Sequence, residues 1–187
     1  MKIFAMILML LFSLMGCKSL YEFRLTEEQR QFLFYKENDI LKFNTSNNSI
    51  YITAKGFLQD YKEGNYTDKF ATKSDELIMI DLYDKDNIKI GYNKVNTSYE
   101  RVHATYNFLL NGKDYFFVYG FSHPDDENQT TISEITLNNI KYTNILKLYT
   151  DFNSSSGSQG ILYMSKDNGF IQLITYDHIV YSITKEE

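Results

Sequence analysis

Few stretches of this chain bring reactive side chains close together. His123-Pro124-Asp125-Asp126-Glu127 places His123, Asp125, Asp126 and Glu127 in one short stretch with the character of a loop. Clustered carboxylates suit a hard cation such as calcium. Acidic loops are also ordinary solvated features, and a proline there shapes a turn. The expectation is therefore no metal and no cofactor, with this loop as the weaker candidate. Asp84-Lys85-Asp86-Asn87 begins like a calcium loop. Lys89 stands where that loop requires glycine, and Val95 where it requires a terminal glutamate. Asp151-Phe152-Asn153 fails in the same way, with Ser156 at the glycine position. His103, His123 and His178 show no spacing that would set two ligands on one face. They read as surface or boundary residues. The chain has no Gly-x-Ser-x-Gly elbow, no phosphate loop and no dinucleotide fingerprint. No catalytic residue is assigned and no enzyme is expected.

The sharper signal is at the start. Lys2 is followed by Ile3 to Met15, apolar except for Ser13, and then by Gly16 and the chain's one cysteine, Cys17. A membrane-spanning helix needs about 20 apolar residues, so this run is too short to span and fits a secretory signal. Leu14, Gly16 and Cys17 resemble the lipobox of bacterial lipoproteins, although Met15 is larger than the usual residue there. The resemblance implies a signal peptide over residues 1–16 and acyl chains on Cys17. It implies an anchor in the outer membrane, because one acyl chain holds only marginally and two hold stably. Residues 17–25 are then the lipidated cysteine and a tether. Lys18-Ser19-Leu20-Tyr21 lacks the acidic cluster that surface-exported lipoproteins of Bacteroidetes share, which points to the periplasmic side.

With one cysteine, no internal disulfide can form, so the rest must be held by its core. The formal net charge is −5 and no basic run occurs, which disfavours nucleic acid. Tyr 16, Phe 14 and Pro 1 make an aromatic chain almost without proline, and aromatic and β-branched residues favour strands.

The elements follow from local signals. Thr26-Glu27-Glu28-Gln29 is a capping box with acidic residues in the first turn, so a short peripheral helix is expected over about 27–34. Strands are expected at 40–44, 50–54, 76–83 and 88–92, while 56–74 reads as irregular and charged. Asn111-Gly112 calls for a two-residue type I′ hairpin. That loop sets Leu110 opposite Lys113, Phe108 opposite Tyr115, and Tyr106 opposite Phe117. One face is then apolar or aromatic, and the other holds His103, Thr105 and Phe116. Asn138-Asn139 sets Ile135 opposite Tyr142 and Ile132 opposite Ile145. A four-residue loop at 166–169, preferred to a two-residue one, would set Met164 opposite Ile171 and Leu162 opposite Leu173. Residues 154–158 read as a flexible loop, and Asp177-His178 as the last turn.

The fold expected is all-β: one domain over 26–187, an antiparallel sheet rolled into a barrel, half-barrel or sandwich with one short N-terminal helix. "YKENDILKF" (35–43) and "GILYMSKDNGFIQL" (160–173) look like small lipoproteins of Bacteroidetes and Flavobacteria, in which a glycine is expected where Asn38 stands. The function expected is a lipid-anchored envelope protein that binds or assists without catalysis. Its partner would be a small hydrophobic ligand in an apolar cavity or another envelope protein, the competing view being that the rings simply fill the core. The alternative is an envelope enzyme or metal-binding protein.

Overall fold

The computed structural model describes residues 19–63, 71–98, 101–121, 128–137, 139–150 and 159–186. Leu14, Gly16 and Cys17, the loop holding His123, Asp125, Asp126 and Glu127, and the segment 154–158 lie outside these residues.

In chain order the elements are β1 (Ser19–Phe23), α1 (Glu27–Arg30), β2 (Ile40–Asn44), β3 (Ser49–Glu63) and β4 (Ala71–Tyr83). They continue with β5 (Lys89–Ser98), β6 (Arg101–Leu110), β7 (Lys113–Gly120), β8 (Gln129–Leu137), β9 (Ile140–Tyr149), β10 (Gly160–Ser165), β11 (Gly169–Thr175) and β12 (Val180–Glu186). All strands belong to one sheet in the order β7-β6-β5-β4-β3-β2-β12-β11-β10-β9-β8, antiparallel throughout, with β1 parallel to the start of β4. The sheet curls until its ends nearly meet. Phe117 of β7 bridges Thr150 just beyond β9. The Gln129 side chain, buried at the start of β8, accepts from Gly120 N–H (3.0 Å) and donates to Gly120 C=O (3.2 Å). Its amide acts there as a peptide group across the seam.

Turn chemistry sets the registers. Asn111 and Gly112 have φ of 53° and 72°, the pair of positive angles a type I′ turn requires. The pairs Leu110–Lys113, Phe108–Tyr115 and Tyr106–Phe117 stand as expected. The second hairpin also holds its expected pairs, Ile135–Tyr142 and Ile132–Ile145. Asn38 has φ of 72°, in the left-handed region that favours glycine.

Four features differ from the sequence expectation. Within the stretch 56–74 the described residues are strand: β3 runs on to Glu63 and β4 begins at Ala71. Gly56, at φ 68°, starts a bulge between Lys55 and Leu58, and the inserted residue breaks the alternation that would have shown a strand. At 166–169 the loop is shorter. The expected pair Leu162–Leu173 stands, but Ser165 pairs with Gly169 and Met164 with Phe170, so Ile171 is the inserted residue rather than the partner of Met164. The helix closes after Arg30, and the residues after it are not peripheral. Phe32 is 2% exposed and Tyr35 is 3% exposed. The capping box itself is present, with Thr26 Oγ1 accepting from Gln29 N–H and Gln29 Oε1 accepting from Thr26 N–H. Finally, residues 19–23 form β1 inside the stretch read as a tether, and Leu25 is buried.

Inward positions alternate along the strands and fill the barrel with rings. Phe170 stands 5.2 Å, centroid to centroid, from both Tyr106 and Phe108, and Phe108 lies 5.7 Å from Phe43. The segment after α1 closes one end. Phe32 stacks on Tyr119 at 4.9 Å, and Phe34 stacks on Tyr106 at 5.9 Å. Burying such a ring is worth about 1.5–3 kcal/mol, so this column is the main source of stability. A smaller cluster of Ile145, Tyr163 and Ile171 forms on the other face, where Ile132, Ile135 and Tyr142 of the β8–β9 hairpin pack against it.

Candidate functional site

The barrel has two unlike ends. The end at the start of β4 takes β1 and the plug that follows α1. The opposite end carries the turns 84–88, 111–112, 45–48 and 176–179. The open surface of interest lies at this second end.

The turn after β11 is built around one side chain. Thr175 N–H donates to Ile179 C=O (3.0 Å), and His178 N–H donates to Thr175 C=O (2.9 Å). The Thr175 hydroxyl donates to Asp177 Oδ1 (2.6 Å) and accepts from Ile179 N–H (3.1 Å). His178 occupies the left-handed region at φ 60°. Asp177 also pairs with Lys113 Nζ at 3.3 Å. The hydrogen bond from the Thr175 hydroxyl, opposed by burial and helped by the backbone and Lys113, holds the Asp177 carboxyl below its ordinary value.

This turn borders a groove of about 550 Å³ whose floor is Ile161 and Ile174. Tyr149 and Tyr176 flank it, the latter 63% exposed, and Gln159 and His178 supply polar groups. Gly160 keeps the floor low: a Cβ there would stand 3.0 Å from the Tyr115 ring and 3.1 Å from Ile174 C=O. Thr150 and Gly160 hold the two strand ends together through Thr150 N–H to Gly160 C=O (3.2 Å) and Gly160 N–H to Thr150 Oγ1 (3.1 Å).

A second groove, also about 550 Å³, lies on the other side of His178. It is lined by the turn 45–48, Asn111 and residues 179–181. Asn111 Nδ2 donates to the Tyr181 hydroxyl at 2.9 Å, tying the two hairpins together across the rim. Burial pushes the Tyr181 hydroxyl up, so it stays protonated and neutral at ordinary pH.

Nucleophilic catalysis needs a hydroxyl or thiol beside a base. The Thr175 hydroxyl is spent inside its turn, and Asp177 is spent on Thr175 and Lys113. Apolar floors with a few placed polar groups are the usual form of a small-molecule site, and both volumes fall in its usual range of roughly 300–1,000 Å³.

Among the described residues, no three His, Cys, Asp or Glu side chains come close enough together to hold a metal ion. His103 is half-buried on β6 opposite Gly120, remote from His178. Sequence reasoning placed His178 in the last turn correctly but gave it no role. The groove residues are scattered over 149–178, and no local pattern joins them. No family model matches this chain, and neither a curated protein nor a solved structure matches it.

Proposed function

We propose that this chain is a lipid-anchored cell-envelope protein. Cys17 holds it to the outer membrane, facing the periplasm, and its barrel is a non-catalytic binding module acting through the groove beside His178. The observation that carries the binding half is the lining: two tyrosine rings over an isoleucine floor, with an amide and an imidazole among the polar groups. An aromatic face carries negative charge density and attracts the C–H edges of a flat ring. The groove therefore suits an uncharged ring with one apolar face and hydrogen-bonding edges. Rings pack the barrel axis, which moves the ligand expected from the sequence to this outer groove. The anchoring half rests on Leu14, Gly16 and Cys17 behind a short apolar run.

Two measurements test it. Cys17→Ser should release the protein from membranes or leave its signal uncleaved; a processed variant that still fractionates with membranes refutes the anchor. Saturation-transfer NMR with the methyl glycoside of N-acetylglucosamine should show transfer to the sugar ring that disappears in Tyr176→Ala. Absence of transfer, or transfer that ignores Tyr176, refutes the groove.

A further inference from the structure

The two grooves have equal volumes and share His178, yet their linings differ in kind. One is aromatic and aliphatic. The other sets hydroxyls and carboxamides beside Ile50, Ile179 and Val180. We infer that they are halves of one elongated site and that its ligand is a neutral linear oligosaccharide lying across His178. This rests on the binding role proposed for the first groove and goes beyond it, because it fixes the ligand's length, direction and charge.

Three observations carry the inference. The first is continuity. His178 borders both grooves, and its left-handed φ of 60° shapes the turn that separates them. A ligand leaving the Tyr176 side must cross the imidazole to reach the turn 45–48. The second is the set of polar groups left for a ligand. In that turn the Thr45 hydroxyl accepts from Asn47 N–H (3.3 Å) and Asn48 N–H (3.0 Å), and Asn48 Oδ1 accepts from Ser49 N–H (2.8 Å). These bonds hold the loop. The exposed Ser46 hydroxyl and Asn47 carboxamide stand outside them. A carboxamide gives two donors and one acceptor, which matches the hydroxyls and acetamido groups of a sugar. The third is charge. The grooves contain no carboxylate, ammonium or guanidinium. Lys113, 5.9 Å from the Tyr176 ring centroid, is paired with Asp177, and Lys147 packs over the Tyr149 ring at 4.7 Å; neither belongs to the lining. A charged chain would give up its hydration there without a direct ion pair to a lining residue.

The test uses the full chain and compares N-acetylglucosamine with its linear tetramer by isothermal titration. The tetramer is expected to bind at least about tenfold tighter, the ratio that roughly 1.4 kcal/mol of added contact produces. Asn47→Ala, on an exposed turn, should bring the tetramer down to the monomer's affinity and leave monomer binding unchanged. Tyr176→Ala should weaken both. If tetramer and monomer bind equally, or Asn47→Ala changes nothing, the spanning site is overturned while the first groove stands. If a linear oligogalacturonate binds as tightly as the tetramer, the neutral class is overturned. If no sugar binds, this inference and the groove's binding role fall together.

Discussion

Glu76 shows how much one side chain can organise. It sits on the core-facing side of β4, in line with Ile78, Ile80 and Leu82, and is 0% exposed. A carboxylate is tolerated there because donors surround it. Leu25 N–H donates to Oε2 at 2.9 Å, Gln59 Nε2 donates to Oε1 at 2.8 Å, and the Arg30 guanidinium pairs with Oε1. Burial pushes this carboxyl up, but the three donors and the guanidinium charge outweigh it, so the net shift is downward. Two of the three donors, Leu25 just before α1 and Arg30 at its end, lead into the plug, so Glu76 fixes where the plug begins. A carboxylate with a lowered value stabilises the fold fully above its unfolded value of about 4.3. That contribution is lost as pH falls through the folded value, because the unfolded chain then binds the proton more readily. Glu76→Gln should therefore cost about 2 kcal/mol near neutral pH, the worth of hydrogen bonds to a charged group. Its urea midpoint should converge with that of the unaltered chain on acidification below about pH 4. Parallel decline of the two would show that the carboxylate's charge has no part in docking.

At the scale of elements, the β6–β7 hairpin gives the clearest test. A Cβ on Gly112 would meet nothing within 4 Å, so Gly112→Val should cost ~1 kcal/mol or more from the positive φ alone. Phe117 is fully buried, and Phe117→Ala should cost about 3–5 kcal/mol. Phe116 lies opposite Asn107 on the other face and is half-buried, so Phe116→Ala should cost less. Denaturation midpoints of the three variants check the order, and Phe116→Ala proving the worst would reverse the faces. This hairpin was legible in the sequence because two turn residues and one alternating pattern, all within twenty positions, agree on a single register. The bulges at Gly56 and Ile171 were not legible, because each inserts one residue and reverses the alternation beyond it. The plug was read as a peripheral helix for a related reason. Nothing local shows that Phe32 and Tyr35 have a barrel end to enter. The anchor candidate was legible as a contiguous motif, whereas the groove was not, since Tyr149, Gln159 and His178 meet only once β9, β10 and β11 are paired. Gly91 belongs with the illegible features: a Cβ there would stand 2.1 Å from Asn107 C=O on the neighbouring strand, a close approach that only the fold creates.

For the molecule as a whole, the deciding feature is how the sheet closes. A barrel removes the exposed edges that invite unwanted pairing, but β7 and β9 meet here through one bridge, Phe117–Thr150. Beyond it β8 takes over as the neighbour of β9, and the gap at the change of strand falls at Gly120. The Gln129 amide fills this gap by offering an acceptor to Gly120 N–H and a donor to Gly120 C=O. Gln129→Leu keeps an apolar body of similar size but leaves both peptide groups of a buried residue without these partners. Each buried group left unpaired costs about 1–3 kcal/mol, so the variant should lose roughly 2–6 kcal/mol. The loss should be local before it is global. Amide exchange at Gly120 and Thr150 should accelerate, while exchange in the β3–β4 ladder, on the far side of the barrel, stays slow until the whole domain unfolds. Gln129→Glu offers two acceptors and no donor, so it should retain the bond from Gly120 N–H and lose the one to the carbonyl, giving an intermediate rate. Hydrogen exchange on the three proteins measures this order. Equal protection at Gly120 in all three would show that the seam is held by packing of the Phe117 and Thr150 side chains rather than by the amide. The groove would feel a seam that does open. Thr150 bonds to Gly160 at the groove floor, so Gln129→Leu should also loosen the groove and weaken the sugar binding proposed for it, while the turn 45–48 on the far side of His178 keeps its hydrogen bonds.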